Sequence, residues 1–317
     1  MQLVRDLYAT ARAGGRPVIS FEFFPPKTPE GDRNLLEKTV PALMQTGPDY
    51  CSVTYGAGGS TRDKTLMIVD RIQREHGLLS VAHLTCVSAT REQIGDLLSQ
   101  IRALGVKNVL ALRGDPPAGG DFEVTPGGFE FSNQLVRFIR EQHEDFCIGV
   151  AGFPEGHIAC KEGKHTDWKH LKTKIDAGAD FVITQLFFDN ADFFHFRDHM
   201  RQTHGVGIPL VPGIIPISGA AQIKRFTALC GARIPEALSA KLEELGDDDA
   251  AVIDFGIEYA TRQCEELLRA GVPGVHFYTL NKAHSTVRIL QNLGLGASAP
   301  ICPKRLDEQS EIIRPTR

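Results

Sequence analysis

Short apolar segments alternate with amphipathic segments along most of the chain. Eight runs of six or seven residues are rich in valine, isoleucine, phenylalanine and threonine, which is typical of strands buried on both faces of a parallel sheet. The predicted strands are Val18–Phe24, Tyr50–Tyr55, Ser80–Cys86, Asn108–Arg113, Cys147–Gly152, Phe181–Phe187, Pro209–Ile215 and Gly274–Leu280. Most of them start about 30 residues apart, the length of a strand, a crossover helix and two loops.

The segments between these strands carry apolar residues at helical spacing. Residues 34–44 predict a helix that Pro41 would kink, and Thr90 with Gln93 predicts a capping box for a helix that ends at Gly105. Further helices are predicted at Ala191–Gly205, Gln222–Gly231, Pro235–Leu245, Ala251–Ala270 and Ala283–Leu293.

Eight strand–helix repeats predict an α/β fold, a single-domain (β/α)8 TIM barrel, with an extra helical segment between strands seven and eight. A doubly wound open sheet is the alternative. We assign residues 1–296 to the barrel and residues 297–317 to a C-terminal tail outside it.

Composition excludes several classes of protein. The 317 residues include 35 Lys and Arg and 39 Asp and Glu, which gives a net charge of −4. This charge argues against a general nucleic-acid-binding surface. We also expect no membrane association, because no apolar run reaches the ~18 residues of a spanning helix. The N-terminus lacks the apolar core of a signal peptide, and the seven cysteines are scattered without a CxxC pair. These features predict a cytoplasmic protein.

Polar residues at the ends of the predicted strands are candidates for chemistry, because barrel enzymes carry their sites there. Glu22 stands between Phe21 and Phe23, and burial among apolar neighbours would raise the pKa of its carboxyl group, as a general acid requires. The alternative is a Glu paired with a structural Arg. Arg113 and Asp115 lie two positions apart, so they either bind a phosphate and a polar heterocycle or pair with each other.

Three further patterns are weaker. The glycine-rich loop at 56–60 lacks the final glycine of a dinucleotide-binding motif, because Thr61 stands there. His83 and Cys86 have no further ligand at metal-binding spacing, so no metal site is predicted. Lys174 lies on a predicted helix, where the residue pattern alone favours a solvent-exposed position.

Seven blocks of sequence together resemble the methylenetetrahydrofolate reductases. They are Ser20-Phe-Glu-Phe-Phe-Pro-Pro-Lys, Ser52-Val-Thr-Tyr-Gly-Ala, His83-Leu-Thr-Cys, Leu112-Arg-Gly-Asp-Pro, Asp176-Ala-Gly-Ala-Asp with Ile183-Thr-Gln-Leu-Phe-Phe-Asp, Pro212-Gly-Ile-Ile-Pro-Ile and His276-Phe-Tyr-Thr-Leu-Asn. They run in order through most of the chain, whose length is similar to the bacterial form, a catalytic barrel without the eukaryotic regulatory domain.

The resemblance implies a flavoprotein with FAD bound in the barrel. NADH or NADPH would reduce FAD, and FAD would then reduce 5,10-methylenetetrahydrofolate to 5-methyltetrahydrofolate in a ping-pong reaction. This step of one-carbon metabolism supplies methyl groups for methionine synthesis. The resemblance also implies a homo-oligomer.

The resemblance assigns roles to matching positions. Glu22 matches the general acid that protonates N10, and Asp115 matches an aspartate that contacts the pterin and stabilises a cationic iminium ion. Gln185 and Lys282 are expected to bind the folate. The positions expected to bind FAD are Thr54, Tyr55, Ala57, His83, Arg113, Gly114, Asp115, Phe153, His157, Asp167 and Lys174.

Three positions depart from the family pattern. Phe153 stands where Tyr is frequent, Lys282 stands where Arg is frequent, and Ala220 falls near an expected aromatic residue. These departures bear on affinity and on the choice between NADH and NADPH, which the sequence leaves open.

Three other functions remain as alternatives. A flavin barrel similar to proline dehydrogenase would oxidise an amino acid and would not turn over a folate. An aldolase-type barrel needs a Schiff-base lysine in a strand, and the eight predicted strands contain no lysine. A non-enzymatic folate- or flavin-binding subunit would not need Glu22, Asp115 and Gln185.

Overall fold

Residues 2–55, 61–115 and 122–296, which a computed structural model describes, contain one parallel sheet of nine strands. The strands are β1 (Val18–Phe23), β2 (Tyr50–Val53), β3 (Leu79–Thr85), β4 (Asn108–Leu112), β5 (Cys147–Gly152), β6 (Phe181–Thr184), β7 (Leu210–Val211), β8 (Gly213–Ile214) and β9 (Gly274–Tyr278). Their order in the sheet is β7-β6-β5-β4-β3-β2-β1-β9-β8. Because β7 and β8 are adjacent in the chain, the two edges of this sheet meet.

Helices surround the strands. The α-helices of the described residues are α1 (Val4–Arg12), α2 (Pro29–Asn34), α3 (Val40–Met44), α4 (Arg62–His76), α5 (Arg91–Ala103), α6 (Ser132–Gln142), α7 (Lys164–Asp176), α8 (Asn190–Gln202), α9 (Ala220–Cys230), α10 (Glu236–Leu245), α11 (Asp249–Arg269) and α12 (His284–Asn292). The predicted (β/α)8 barrel is confirmed, with α9, α10 and α11 between β8 and β9, and the open-sheet alternative is wrong. The predicted tail, residues 297–317, lies outside the described residues.

The predicted strand Pro209–Ile215 is two strands, because Pro212 interrupts it. Proline has no backbone N–H to donate to a ladder, so pairing changes sides at this residue. Upstream, the carbonyl of Pro209 accepts from the N–H of Val182 at 2.9 Å. Downstream, the carbonyl of Pro212 accepts from the N–H of His276 at 3.0 Å. This one segment therefore bonds to both edges of the sheet and closes the barrel.

Pro41 also shapes the helix predicted over residues 34–44. A π-helical turn, Leu35–Thr39, joins α2 to α3 immediately before this proline. Proline lacks a hydrogen-bond donor and crowds the preceding turn, and a wider turn relieves both problems. The capping box of α5 is confirmed: Gln93 N donates to Thr90 Oγ1 at 3.2 Å, and Thr90 N donates to Gln93 Oε1 at 2.9 Å.

Helix α1 covers the N-terminal end of the barrel. Val4 N donates to the side-chain oxygen of Asn108 at 2.9 Å, and the hydroxyl groups of Tyr8 and Tyr50 lie 2.9 Å apart inside the barrel. Tyr8, Tyr50 and Phe181 form a buried aromatic cluster there. The N-terminal end is thereby filled, which leaves the C-terminal ends of the strands open to a ligand.

Candidate functional site

A cavity of about 890 Å³ opens at the C-terminal ends of the strands. Twelve of the fourteen site residues named from the sequence line it: Glu22, Thr54, Tyr55, His83, Arg113, Gly114, Asp115, Phe153, His157, Asp167, Lys174 and Gln185. Lys282 is exposed after β9 and does not line the cavity, and Ala57 lies outside the described residues. The fold therefore brings the predicted residues of seven separate chain segments together.

Glu22 faces the barrel interior, whereas its two neighbours face the helices. Successive side chains of a strand point to opposite faces, so Phe21 and Phe23 belong to the hydrophobic core between sheet and helices. The environment of Glu22 is polar instead. Its Oε2 atom lies 3.4 Å from His83 Nε2, and it accepts from Ser52 Oγ at 3.4 Å.

The expected rise in the pKa of the Glu22 carboxyl group is wrong. Burial raises the pKa of the carboxyl group, but hydrogen bonds and charges from His276 and His83 outweigh burial and lower its pKa to about 2. The sequence argument failed because it took residues adjacent in sequence for neighbours in space. The two imidazoles come from β9 and β3 instead.

Two cations stand on the wall formed by β4, β5 and α7. Lys174 Nζ donates to the carbonyl of Ala151 at 2.6 Å and lies 5.8 Å from the ring centre of Phe153. Burial lowers the pKa of Lys174 to about 8, against the opposing charge of Asp167. The Lys174 side chain therefore lines the cavity from α7, and the prediction that it is exposed to solvent is wrong.

Arg113 is the second cation. Its guanidinium group lies over the ring of Phe122, 4.8 Å from the centroid. It makes no ion pair with Asp115 or with any other acidic residue in ranges 2–55, 61–115 and 122–296, so the proposed mutual pair is absent there. Gly114 between them has φ +86°, and a Cβ there would lie 2.7 Å from Val87 Cγ1, which explains the need for glycine.

His157 lines the same cavity as these two cations. Its Nδ1 accepts from Ala159 N at 3.0 Å, so the neutral imidazole carries its hydrogen on Nε2. Its ring meets Phe153 edge-on at 4.6 Å. Burial lowers the pKa of His157, and the charges of Arg113 and Lys174 lower it further. A neutral N–H donor therefore stands beside two cations.

The remaining wall comes from β6 and β9. Gln185 Oε1 accepts from Leu186 N at 2.9 Å, which holds its amide group at the edge of the cavity. Tyr278 donates its hydroxyl to the carbonyl of Thr184 at 2.6 Å. A Cβ on Gly213 would lie 2.6 Å from the Tyr278 ring, so glycine is needed for this ring to pack.

The loop after β9 fixes the loop after β1. Asn281 has φ +57° and exchanges two hydrogen bonds with the backbone of Phe24, at 2.9 and 2.8 Å. Thr279 Oγ1 donates to the carbonyl of Glu22 at 2.7 Å. Asparagine tolerates the left-handed conformation better than most residues, which suits it to this position. The backbone of Glu22 and Phe24 is therefore held by residues of the loop after β9.

Sequence reasoning missed Ser20 and His276 as site residues. Both are buried beside Glu22, with Ser20 Oγ 2.8 Å from His276 Nδ1. The available signal was spacing: Ser20 and Glu22 are two apart on one strand, as are His276 and Tyr278 on another. Such pairs point to the same face of a strand.

Metal-binding clusters and membrane-spanning helices are both absent from the described part of the chain. No group of three or more His, Cys, Asp or Glu side chains is arranged to hold a metal ion. Across the same residues, no helix combines the length and apolar character needed to cross a bilayer.

Fold and site together define a (β/α)8 barrel with a deep cleft, in which a carboxylate–imidazole cluster faces a wall bearing two cations. A family model described as methylenetetrahydrofolate reductase matches residues 7–294. The chain belongs to the methylenetetrahydrofolate reductase family.

The chain matches different shares of its curated relatives' own length. It is 45% identical over 302 residues to methylenetetrahydrofolate reductase (NADH) 1 of Arabidopsis thaliana, covering 92% of this chain and 51% of that protein. It is 36% identical over 286 residues to 5,10-methylenetetrahydrofolate reductase of Salmonella typhimurium, covering 90% of this chain and 93% of that protein. The chain thus spans about half the length of the plant and yeast relatives and nearly all of the bacterial ones.

A solved structure from Clostridium thermocellum is similar in fold, with a TM-score of 0.62 and 15% sequence identity. The match covers 90% of this chain and 96% of that uncharacterised protein, which is described as binding two copies of 5-methyl-5,6,7,8-tetrahydrofolic acid. At this identity, the likeness shows the fold alone.

Proposed function

We propose that this chain reduces 5,10-methylenetetrahydrofolate to 5-methyltetrahydrofolate, with FAD as its cofactor and NADH as the reductant, and so supplies methyl groups for methionine synthesis. Family membership supports the reaction, and the plant relatives named as NADH enzymes support the donor. The observation that carries the proposal is the position of Glu22, at the cavity wall and in contact with an imidazole.

The residues of the cavity fit FAD. Arg113 and Lys174 both line the cavity without an ion pair to any described residue, and FAD brings a diphosphate that would pair with such cations. His157 adds an N–H donor, and Phe153 adds an aromatic face. About 890 Å³ is also within the range of sites for large organic ligands.

The chemistry divides between the cofactor and the protein. When bound, FAD carries the hydride between the two substrates. Glu22 delivers a proton to N10 of the folate as the five-membered ring opens, which makes N10 a better leaving group. Asp115 stabilises the positive charge that then develops on the pterin, and Gln185 orients the folate by hydrogen bonding.

The low pKa of Glu22 sets a condition on this mechanism. With a pKa of about 2, Glu22 is a carboxylate near neutral pH. A bound folate would exclude water from the cavity and weaken the hydration of the carboxylate, which raises the pKa toward the range a general acid needs.

An anaerobic spectroscopic titration tests the proposal. The purified protein should show a flavin spectrum that NADH bleaches and that 5,10-methylenetetrahydrofolate then restores. NADPH added in a parallel sample measures donor preference. A flavin that NADH bleaches but the folate does not restore would contradict the proposed substrate and point to a different oxidant of the reduced flavin.

Glu22→Gln tests the role of the carboxyl group. The variant should keep FAD and accept hydride from NADH at a near-normal rate, while folate reduction should fall by about 10²-fold or more. Glu75→Gln on α4, which removes an exposed ion pair with Arg71, is the matched control and should leave both half-reactions unchanged. Normal folate turnover by Glu22→Gln would refute the general-acid assignment.

A further inference from the structure

The end of β1 reaches beyond the part of the strand that pairs with β9. The last residue pair between the two strands is Glu22 with Tyr278, where β9 ends. Phe24 lies two residues after Glu22, so its side chain follows Glu22 on the same face, and both side chains line the cavity. The backbone of Phe24 therefore carries a cavity-lining side chain without a strand residue of β9 beside it.

A side chain takes the place of that strand residue. The carboxamide group of Asn281 accepts from Phe24 N at 2.9 Å and donates to the carbonyl of Phe24 at 2.8 Å. Two residues that face each other in an antiparallel pair exchange the same two bonds through their backbones. Asn281 therefore holds the backbone of Phe24 as a neighbouring strand would.

The backbone of Asn281 is held in turn by two threonines. Its N–H donates to Thr279 Oγ1 at 3.2 Å, and its carbonyl accepts from Thr39 Oγ1 at 3.1 Å. The same Thr279 hydroxyl donates to the carbonyl of Glu22 at 2.7 Å. Asn281 itself does not line the cavity. Its effect on a ligand must therefore pass through the end of β1.

The turn that carries Asn281 has an unfavourable backbone conformation. Leu280 has φ +52° and Asn281 has φ +57°. Asparagine tolerates this left-handed region, whereas a leucine there is uncommon and costs conformational energy. Residues held in such conformations cluster at active sites and ligand-binding segments, where the surrounding structure imposes them. This turn brings the Asn281 side chain back against β1, which favours a role for the contact in the site.

We propose that Asn281 is a positioning residue for folate reduction, which fixes the backbone of Phe24 and so keeps the Glu22 carboxyl group aimed at its proton acceptor. The inference rests on the proposed function, in which Glu22 donates a proton to N10. A proton passes between atoms within hydrogen-bond distance, and a displacement of about 1 Å can slow a reaction about 100-fold. Flavin reduction by NADH needs no proton from Glu22, so only the folate half-reaction should depend on Asn281.

Asn281→Gly tests the proposal, because glycine adopts the positive φ and the variant loses only the carboxamide group. We expect flavin reoxidation by 5,10-methylenetetrahydrofolate to slow about tenfold or more, with flavin reduction by NADH within about twofold of the wild-type rate. The loss should appear in the maximum rate, since excess folate cannot restore the aim of Glu22. Asn292→Gly, which removes an exposed amide contact with Thr261, is the matched control and should change neither half-reaction. Equal slowing of both half-reactions, or a rate that excess folate restores, overturns the proposal.

A second readout needs neither cofactor nor substrate. Amide hydrogen exchange of the cofactor-free protein, followed by NMR, reports whether the N–H of Phe24 is held. Its exchange should become about tenfold faster or more in Asn281→Gly and stay unchanged in Asn292→Gly, while the paired residues of β1 keep their protection. Unchanged exchange at Phe24 in the folded glycine variant overturns the proposal.

Asn281→Asp serves if the glycine variant fails to fold. Its carboxylate has the same shape and still accepts from Phe24 N, but it cannot donate to the carbonyl of Phe24. It should slow the folate half-reaction selectively, and equal slowing of both half-reactions would again overturn the proposal. Absent folate turnover by the wild type would refute the proposed function instead, and the exchange rates would still decide whether Asn281 holds the end of β1.

Discussion

Lys174→Met should stabilise the cofactor-free protein and weaken its binding of FAD. The pKa of Lys174 falls from 10.5 to about 8 on folding. Since one pKa unit corresponds to about 1.4 kcal/mol, burial of this ammonium group costs about 3 kcal/mol at pH 7. The hydrogen bond to the carbonyl of Ala151 returns about 1 kcal/mol, and partial exposure reduces the penalty further. The expected net gain is about 1 to 2 kcal/mol in the free energy of unfolding.

The pH dependence gives this prediction its sign. Between pH 8 and 10.5 the unfolded chain holds a proton that the folded protein has lost, so the stability of the wild type rises with pH in this window. The Met variant lacks this titration. Its advantage should therefore be largest at pH 7 and should shrink by pH 10.

Urea unfolding of the cofactor-free proteins at pH 7 and pH 10 measures both effects. Lys172→Met is the matched control, because that lysine lies on the same helix in an exposed pair with Asp176 and should change stability by less than about 0.5 kcal/mol. FAD affinity, from the quenching of flavin fluorescence, should fall at least tenfold in Lys174→Met only. A variant less stable than the wild type at pH 7, or a difference that does not change with pH, would refute the reasoning.

Two further predictions concern the flavin and the packing of the barrel. Asp115→Asn should make the flavin easier to reduce, by about 1 kcal/mol per electron, because a negative charge near the ring disfavours the reduced form; an unchanged or more negative midpoint potential would contradict this. Gly256→Ala on α11 should destabilise the protein by about 2 kcal/mol, because a Cβ there would lie 2.1 Å from the carbonyl oxygen of Ile217. Gly207→Ala is the control, since a Cβ there would have no atom within 4 Å, and it should leave stability unchanged. Thermal unfolding measures both.

Periodicity and composition were enough to predict the barrel. Strands buried on both faces are short apolar runs, and repeats of about 30 residues leave room for one helix each. The ends of elements were less predictable. The strand predicted to end at Phe187 ends at Thr184, and the N–H of Gln185 makes the last bond to the neighbouring strand, to the carbonyl of Gly152. Pro212 was a sequence signal for the break in the seventh strand, but the prediction of one continuous strand over Pro209–Ile215 ignored it.

The cavity-lining residues could be predicted from their positions at strand ends, but their electrostatics could not. The sequence predicted an apolar environment for Glu22 because phenylalanines flank it on both sides. The residues that set its pKa, His83 and His276, lie on strands whose register against β1 depends on the closed sheet. For Lys174 the error was the opposite: the pattern predicted a solvent-exposed side chain, and the side chain lines the cavity. Helical periodicity does not reveal which turn of α7 faces β5.

Glu22 is held by residues from opposite ends of the chain, which has a consequence for how the chain folds during synthesis. Glu22 is carried by the first strand, while His276, Thr279 and Asn281, which surround it or fix its loop, belong to or follow the last. Contacts between such distant residues form late, because a long stretch of chain must be ordered first. On the ribosome, β1 must wait until β9 has emerged before it can pair on that side. The surroundings of Glu22 are thus assembled by the same step that pairs β1 with β9, so a chain in which these two strands are unpaired would lack the contacts that hold Glu22.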